Sequence, residues 1–182
     1  MKTDKFIIGL VLLGIAFTSC KKDDDYVKWS DIYSNGGYVK VNIIGLSQDS
    51  ISLNESFIAE KYSSYSLDQD ASYSKSSGDY SFDFSRYTDN FGSNGISIAF
   101  TNNGNNFSVL HFDLQYQKKL DNGKVMDLSI YSSSATSSIS NFSFDENSGI
   151  LKGEYSFIYT PSYHKTITIS GDFNLKVTQT YR

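Results

Sequence analysis

The chain holds few side chains able to do covalent or metal chemistry: one cysteine, Cys20, and two histidines, His111 and His164. Asp113 follows His111 by two residues. At strand spacing both side chains stand on one face. An imidazole beside a carboxylate is the beginning of a general-base dyad or of a metal site. Nothing completes either set. No Gly-x-Ser-x-Gly nucleophile elbow occurs, and no histidine pair has zinc spacing. His111 therefore reads as a strand histidine with ordinary partners. Asp23-Asp24-Asp25 and the pair Asp68 and Asp70 could meet a cation. They lack the glycine and the distal glutamate of a calcium loop, and solvated carboxylates are expected. The sequence predicts no catalytic residue, no metal site, no cofactor and no enzyme. A hydrolase built on His111 or His164 stays open as an alternative.

The thiol of Cys20 has a context of its own. Lys2 and Lys5 precede the apolar run Phe6 to Phe17, and Thr18-Ser19-Cys20 follows. A basic start, roughly 7–15 apolar residues and small residues at the cut make a secretory leader. The run is too short for a spanning helix, which needs about 20 apolar residues. Phe17-Thr18-Ser19-Cys20 resembles a bacterial lipobox, in which a signal peptidase cuts before a cysteine whose thiol takes a diacylglycerol. It departs from the commonest box in having Phe17 where leucine is usual. The resemblance implies a leader over 1–19 and a lipidated Cys20 with palmitate-type acyl chains. Two such chains give stable anchoring. Lys21-Lys22-Asp23-Asp24-Asp25 resembles the lysine-plus-acidic signal that sends lipoproteins of Bacteroidota-type bacteria to the outer face of the outer membrane. A charged run is also a natural solvated tether. Cell-surface display is the expectation, and the periplasmic face is the alternative.

Composition excludes other partners. Lys2, Lys5 and Asp4 leave with the leader, so 16 basic and 20 acidic side chains become 14 and 19, and the net charge becomes −5. A nucleic-acid surface needs a basic face, and none is expected here. With Cys20 acylated no thiol remains for a disulfide, so the core alone must hold the domain. A domain of about 150 residues buries enough surface for that.

The remaining elements follow from periodicity. Residues 20–36 read as lipidated cysteine and tether, with Trp29 docking at the domain edge. Residues 37–182 read as a single β domain. Fourteen tyrosines, thirteen phenylalanines and a single proline favour strands, and the Asn and Gly clusters favour turns. Period-two alternation predicts strands at 38–43, 51–59, 80–84, 96–100, 107–116, 125–131, 139–144, 150–159 and 165–177. Gly171 is expected to mark a bulge. Ser52-Leu53-Asn54-Glu55 also fits a capping box, so a short helix over 53–61 is the alternative there. Residues 62–79 lack a sustained apolar face and read as a long loop or weak edge. Asp121-Asn122-Gly123 predicts a tight hairpin with positive φ angles. About nine strands with short links make an all-β fold, an antiparallel β-sandwich or a sandwich-like barrel.

Asn141-Phe142-Ser143-Phe144-Asp145, Gly149-Ile150-Leu151-Lys152-Gly153-Glu154-Tyr155-Ser156-Phe157 and Thr166-Ile167-Thr168-Ile169-Ser170-Gly171-Asp172-Phe173 resemble the late strands of small Bacteroidota-type lipoproteins of unknown function. Those strands read Gly-x-Phe-x-Phe and then Thr-Ile-Thr-x-Gly-x-Phe. The resemblance implies a β-sandwich-like domain and no activity. Asp49-Ser50-Ile51 resembles the O-glycosylation acceptor of exported proteins from such bacteria, with Ser50 as acceptor. Tyr62, Tyr65, Tyr73 and Tyr80 surround the loose segment. Exposed tyrosine suits glycan or protein contact, so they form the expected recognition surface. The chain thus reads as a lipid-anchored binding or structural module of the cell envelope. A calycin-like carrier of a small apolar ligand, which needs a closed barrel, is the second alternative.

Overall fold

A computed structural model of the chain describes residues 36–47, 50–61, 71–89, 94–104, 106–131, 136–160 and 165–180. Alternating apolar residues produce eleven strands: β1 (Gly37–Leu46), β2 (Ser52–Ala59), β3 (Ala71–Ser76), β4 (Asp79–Tyr87), β5 (Gly95–Asn103), β6 (Asn106–Lys119), β7 (Val125–Tyr131), β8 (Thr136–Asp145), β9 (Ile150–Tyr159), β10 (Ile167–Lys176) and β11 (Thr178–Gln179). No helix occurs among the described residues, so 52–59 is strand and not the alternative helix. Sheet A runs β2-β1-β10-β9-β8 and sheet B runs β11-β3-β4-β5-β6-β7. All pairings are antiparallel except β11 with β3. Among the described residues the sheets do not close on each other, so the architecture is a sandwich rather than a barrel.

Two strands exceed the nine expected. β3 lies in the segment read as a long loop or weak edge, stands next to the two-residue edge strand β11, and buries only Ala71 and Tyr73. The strand expected over 165–177 is followed by a second, short one. Val177 donates its amide to the Gly149 carbonyl at 2.8 Å, and the chain then passes from sheet A to sheet B as β11.

The inner faces meet in one aromatic core that includes Phe82, Phe84, Phe100, Phe112, Phe157 and Phe173. Two bulges keep it continuous. In the β5–β6 pair the register shifts between Ala99 and Phe100, so Leu110 of β6 is the extra residue. Phe107 and Val109 before it and Phe112 and Leu114 after it therefore all pack inward, although their parity differs. In β8 the shift lies between Ser140 and Ser143. Asn141 there takes φ 49°, and both Ile139 and Phe142 reach the core. The β6–β7 turn is a three-residue loop. The Gly123 amide donates to the Leu120 carbonyl at 2.9 Å. The predicted hairpin forms, and Gly123 takes positive φ, 81°, while Asn122 does not.

Gly171 is not a bulge. The β1–β10 register keeps one offset on both sides of it, Val39 opposite Phe173 and Asn42 opposite Ser170. Its role is reciprocal with Gly153. Gly153 pairs with Phe173, and Gly171 with Tyr155. Each glycine is covered by the other strand's aromatic ring. A Cβ at 153 would stand 2.6 Å from Phe173 Cζ, and one at 171 would stand 1.8 Å from the Lys40 carbonyl oxygen and 2.9 Å from Tyr155 Oη. The buried Tyr155 hydroxyl donates to that same Lys40 carbonyl at 2.7 Å. Two Gly-x-aromatic triplets in neighbouring strands thus interlock.

Two glutamates fasten the sheets. Glu55 of β2 accepts from the Tyr116 hydroxyl at 2.8 Å and from Lys118 Nζ at 2.7 Å, both on β6. Glu146 in the β8–β9 turn accepts from the Tyr80 hydroxyl and from Lys75 Nζ, each at 2.9 Å. Fully buried Arg86 on β4 donates to the Gly36 carbonyl at 2.9 Å, joining the start of sheet A to sheet B.

Candidate functional site

Over Tyr38–Asn42, Lys152–Ser156 and Ser170–Asn174 the side chains that turn away from the core form a polar grid, and the next outward row is Ile44, Thr168 and Ile158. Antiparallel register sets Tyr38 beside Asn174 and Asn174 beside Lys152. Asp172 pairs with Glu154 on one side, and on the other Lys40 Nζ reaches Asp172 Oδ1 at 3.3 Å. Asn42, Ser170 and Ser156 make the next row. The period of two that buries Val39, Val41, Ile169, Phe173, Leu151 and Phe157 delivers every member of this grid to the outer surface.

The grid is hollowed. A shallow open groove of about 640 Å³ crosses it, lined by Tyr38, Asn42, Lys152, Glu154, Ser170, Asp172 and Asn174, with Asn141 at one end. Gly153, Gly171 and Phe173 also line it. The physical origin of this relief is the sheet itself. The bulge at Asn141 twists β8 against β9 opposite Gly153. The charges of the grid sum to zero, Lys40 and Lys152 against Asp172 and Glu154, and Lys40 is paired with Asp172. Lys40 Nζ also lies 5.2 Å from the centroid of the Tyr38 ring, a cation–π distance.

The residues expected to do chemistry lie elsewhere. His111 and Asp113 share the outer face of sheet B, as their spacing implies, but among the described residues no hydrogen bond joins them. His111 packs edge-on against Tyr131, with centroids 5.1 Å apart. Asp113 faces Ser97 across the sheet, and the Ser97 hydroxyl is bonded to that of Ser85. Burial raises the Asp113 carboxyl above its usual range, and the His111 charge partly opposes this. A nucleophile bonded to a base is therefore not assembled there. Among the described residues no three of His, Cys, Asp and Glu come together as a metal site.

The tyrosine surface needs correction. Tyr73 is only 5% exposed and packs edge-on against Phe144 at 4.8 Å. Tyr80 is half-buried beside Phe82 and Phe144, with its hydroxyl held by Glu146. Both point inward because they share parity with Ala71 and with Phe82, respectively, a signal already present in the sequence. Tyr62 and Tyr65 lie outside the described residues, as do Cys20, Lys21, Lys22, Asp23, Asp24, Asp25, Trp29, Asp68, Asp70 and His164. Ser50 is exposed at φ 63° in the β1–β2 turn, and its hydroxyl accepts from Lys165 Nζ at 2.6 Å. Among the described residues no helix is long and apolar enough to cross a membrane. The grid of β1, β10 and β9 escaped notice in the sequence because its residue types are ordinary for an outward strand face. Only the pairing of β1 with β10, from opposite ends of the chain, assembles it.

Comparison with known protein families, with curated proteins and with solved structures finds no match.

Proposed function

We propose that the chain is a lipid-anchored binding module of the bacterial cell envelope. In this reading acyl chains on Cys20 hold it at the outer membrane, Lys21-Lys22-Asp23-Asp24-Asp25 send it to the cell surface, and the outer face of sheet A meets the ligand. The likeness of its leader and late strands to small Bacteroidota-type lipoproteins supports the address. The observation that carries the binding role is the open polar groove across β1, β10 and β9. The reactive groups of the described residues are dispersed, which favours binding over catalysis.

The test has two arms. Fractionation of native cells should find the chain in the outer membrane, sensitive to protease added outside, and a Cys20→Ala chain should become soluble. A Cys20→Ala chain that still sediments with membranes removes the anchor. Separately, alanine at Asn42, Ser170 and Asn174 should weaken binding of the chain to envelope or surface extracts without lowering its melting temperature. Binding that survives all three substitutions removes this face as the binding surface.

A further inference from the structure

We infer that the sheet A groove takes an uncharged oligosaccharide, laid across the strands with Tyr38 beneath one of its rings. The inference rests on the reading of this face as the binding surface and names its ligand class.

Charge comes first. Lys40 is paired with Asp172 at 3.3 Å, and the remaining charges on the grid, Lys152 and Glu154, are opposite in sign. An anionic ligand would gain from Lys152 and be repelled by Asp172 and Glu154; a cation would meet the reverse. A surface without net field does not select charged partners.

Hydrogen-bonding capacity comes second. Asn42 and Asn174 each offer two donors and an acceptor, Ser170 offers both functions, and the two carboxylates only accept. A ligand that satisfies such a mixture must itself donate and accept at closely spaced points, as a run of hydroxyl groups does. Neighbouring strands repeat these side chains about every 4.8 Å across the sheet. That suits a chain of similar polar units running across the strands.

Tyr38 comes third. It lines the groove and is half-buried, and its ring supplies apolar area with a polar tip. The C–H face of a sugar ring packs on such a surface.

Other occupants fit worse. A peptide adds to a sheet at a free edge, but β1, β10 and β9 are interior strands, paired on both sides. A small apolar ligand needs an enclosed apolar cavity, and this groove is open and polar. Because the groove stays hydrated, a dissociation constant of about 0.1–1 mM per site is expected.

The experiment titrates the full lipidated chain, in detergent micelles, with neutral hexose and pentose oligosaccharides of increasing length. Sulfated and uronic-acid oligosaccharides and unstructured peptides run beside them. The expected result is binding of at least one neutral series that strengthens with length and changes less than twofold between low and high salt. Tyr38→Ala and Asn174→Ala should weaken it tenfold or more, and Tyr38→Phe less than threefold, all with unchanged melting temperature. Binding confined to charged oligosaccharides or peptides, and lost in the same variants, overturns the ligand class and leaves the face as the binding surface. Neutral-sugar binding unaffected by Tyr38→Ala and Asn174→Ala overturns the proposal. No binding of any probe sensitive to these substitutions overturns it together with the reading beneath it.

Discussion

The interlocked glycines make a quantitative prediction. In Gly171→Ala the new methyl would stand 1.8 Å from the Lys40 carbonyl oxygen and 2.9 Å from the Tyr155 hydroxyl. Alanine restricts the unfolded chain more than glycine, which favours the variant by about 0.4–1 kcal/mol. Against this, β1 must retreat and the phenol must turn away. Overpacking of a close-packed core costs about 1–3 kcal/mol. Separating the Tyr155 hydroxyl from the Lys40 carbonyl, now 2.7 Å apart, leaves a buried polar group unpaired at about 1–3 kcal/mol. The net expectation is a loss of about 3 kcal/mol. Tyr155→Phe alone removes the hydrogen bond with no clash and should cost about 1 kcal/mol. When Tyr155→Phe is already in place, Gly171→Ala no longer meets a hydroxyl. The double variant should then be more stable than the sum of the singles implies, by about 1 kcal/mol. Urea unfolding followed by circular dichroism measures all four corners of the cycle. Strict additivity within about 0.3 kcal/mol would refute a part for the phenol at this glycine, and a Gly171→Ala chain as stable as the parent would refute the close approach of β1 as well.

Further predictions concern pH and the bulges. Hydrogen bonds from Lys118 and Tyr116 hold the Glu55 carboxyl below its ordinary value despite some burial, and those from Lys75 and Tyr80 do the same for Glu146. A depressed carboxyl contributes stability that is complete above its unfolded pKa of about 4.3 and is lost as pH falls through the lower folded value. Urea midpoints should therefore decline below about pH 5, and Glu55→Gln should flatten part of that slope while lowering stability at neutral pH. Asp113 has the opposite sign, because burial favours its neutral form. Asp113→Asn should raise the midpoint at neutral pH, and the gain should shrink as pH falls through the raised carboxyl pKa. At Asn141, with φ 49°, glycine should be tolerated, whereas valine should cost about 1–2 kcal/mol in a thermal or urea melt because β-branched residues resist the left-handed region.

Most strands were legible because one face of each is buried, so apolar residues recur with period two. β3 was hidden because Ser72, Ser74, Lys75 and Ser76 outnumber its two buried residues, Ala71 and Tyr73. The bulges were legible in principle. Phe107 and Val109 sit at odd positions, while Phe112, Leu114 and Tyr116 sit at even ones. A single strand can bury both sets only by gaining one residue, and Leu110 is that residue. Ile139 against Phe142 and Phe144 repeats the argument in β8. Gly171 is legible as special, but a glycine in a strand marks either a bulge or a close approach, and only its neighbours Lys40 and Tyr155 on the adjoining strands decide for the second. The groove had no local signal at all, because it depends on register between distant strands.

Parity links stability to binding on the same two strands. In β9 and β10 the odd positions Gly153, Tyr155, Gly171 and Phe173 build the core, and the even positions Lys152, Glu154, Ser170, Asp172 and Asn174 line the groove. The glycines act on the inner face, where they admit the Phe173 and Tyr155 rings. A sequence that kept the alternation but replaced either glycine would have to push β1 and β10 apart or tilt a core ring. Either movement would carry Asp172 and Asn174 with it, because a strand's two faces share one backbone. The Gly-x-aromatic triplets thus set how closely β1, β10 and β9 approach, and the outward rows follow that spacing. A rise in exposed area at the even positions whenever an odd-position glycine is filled is the structural signature of that coupling.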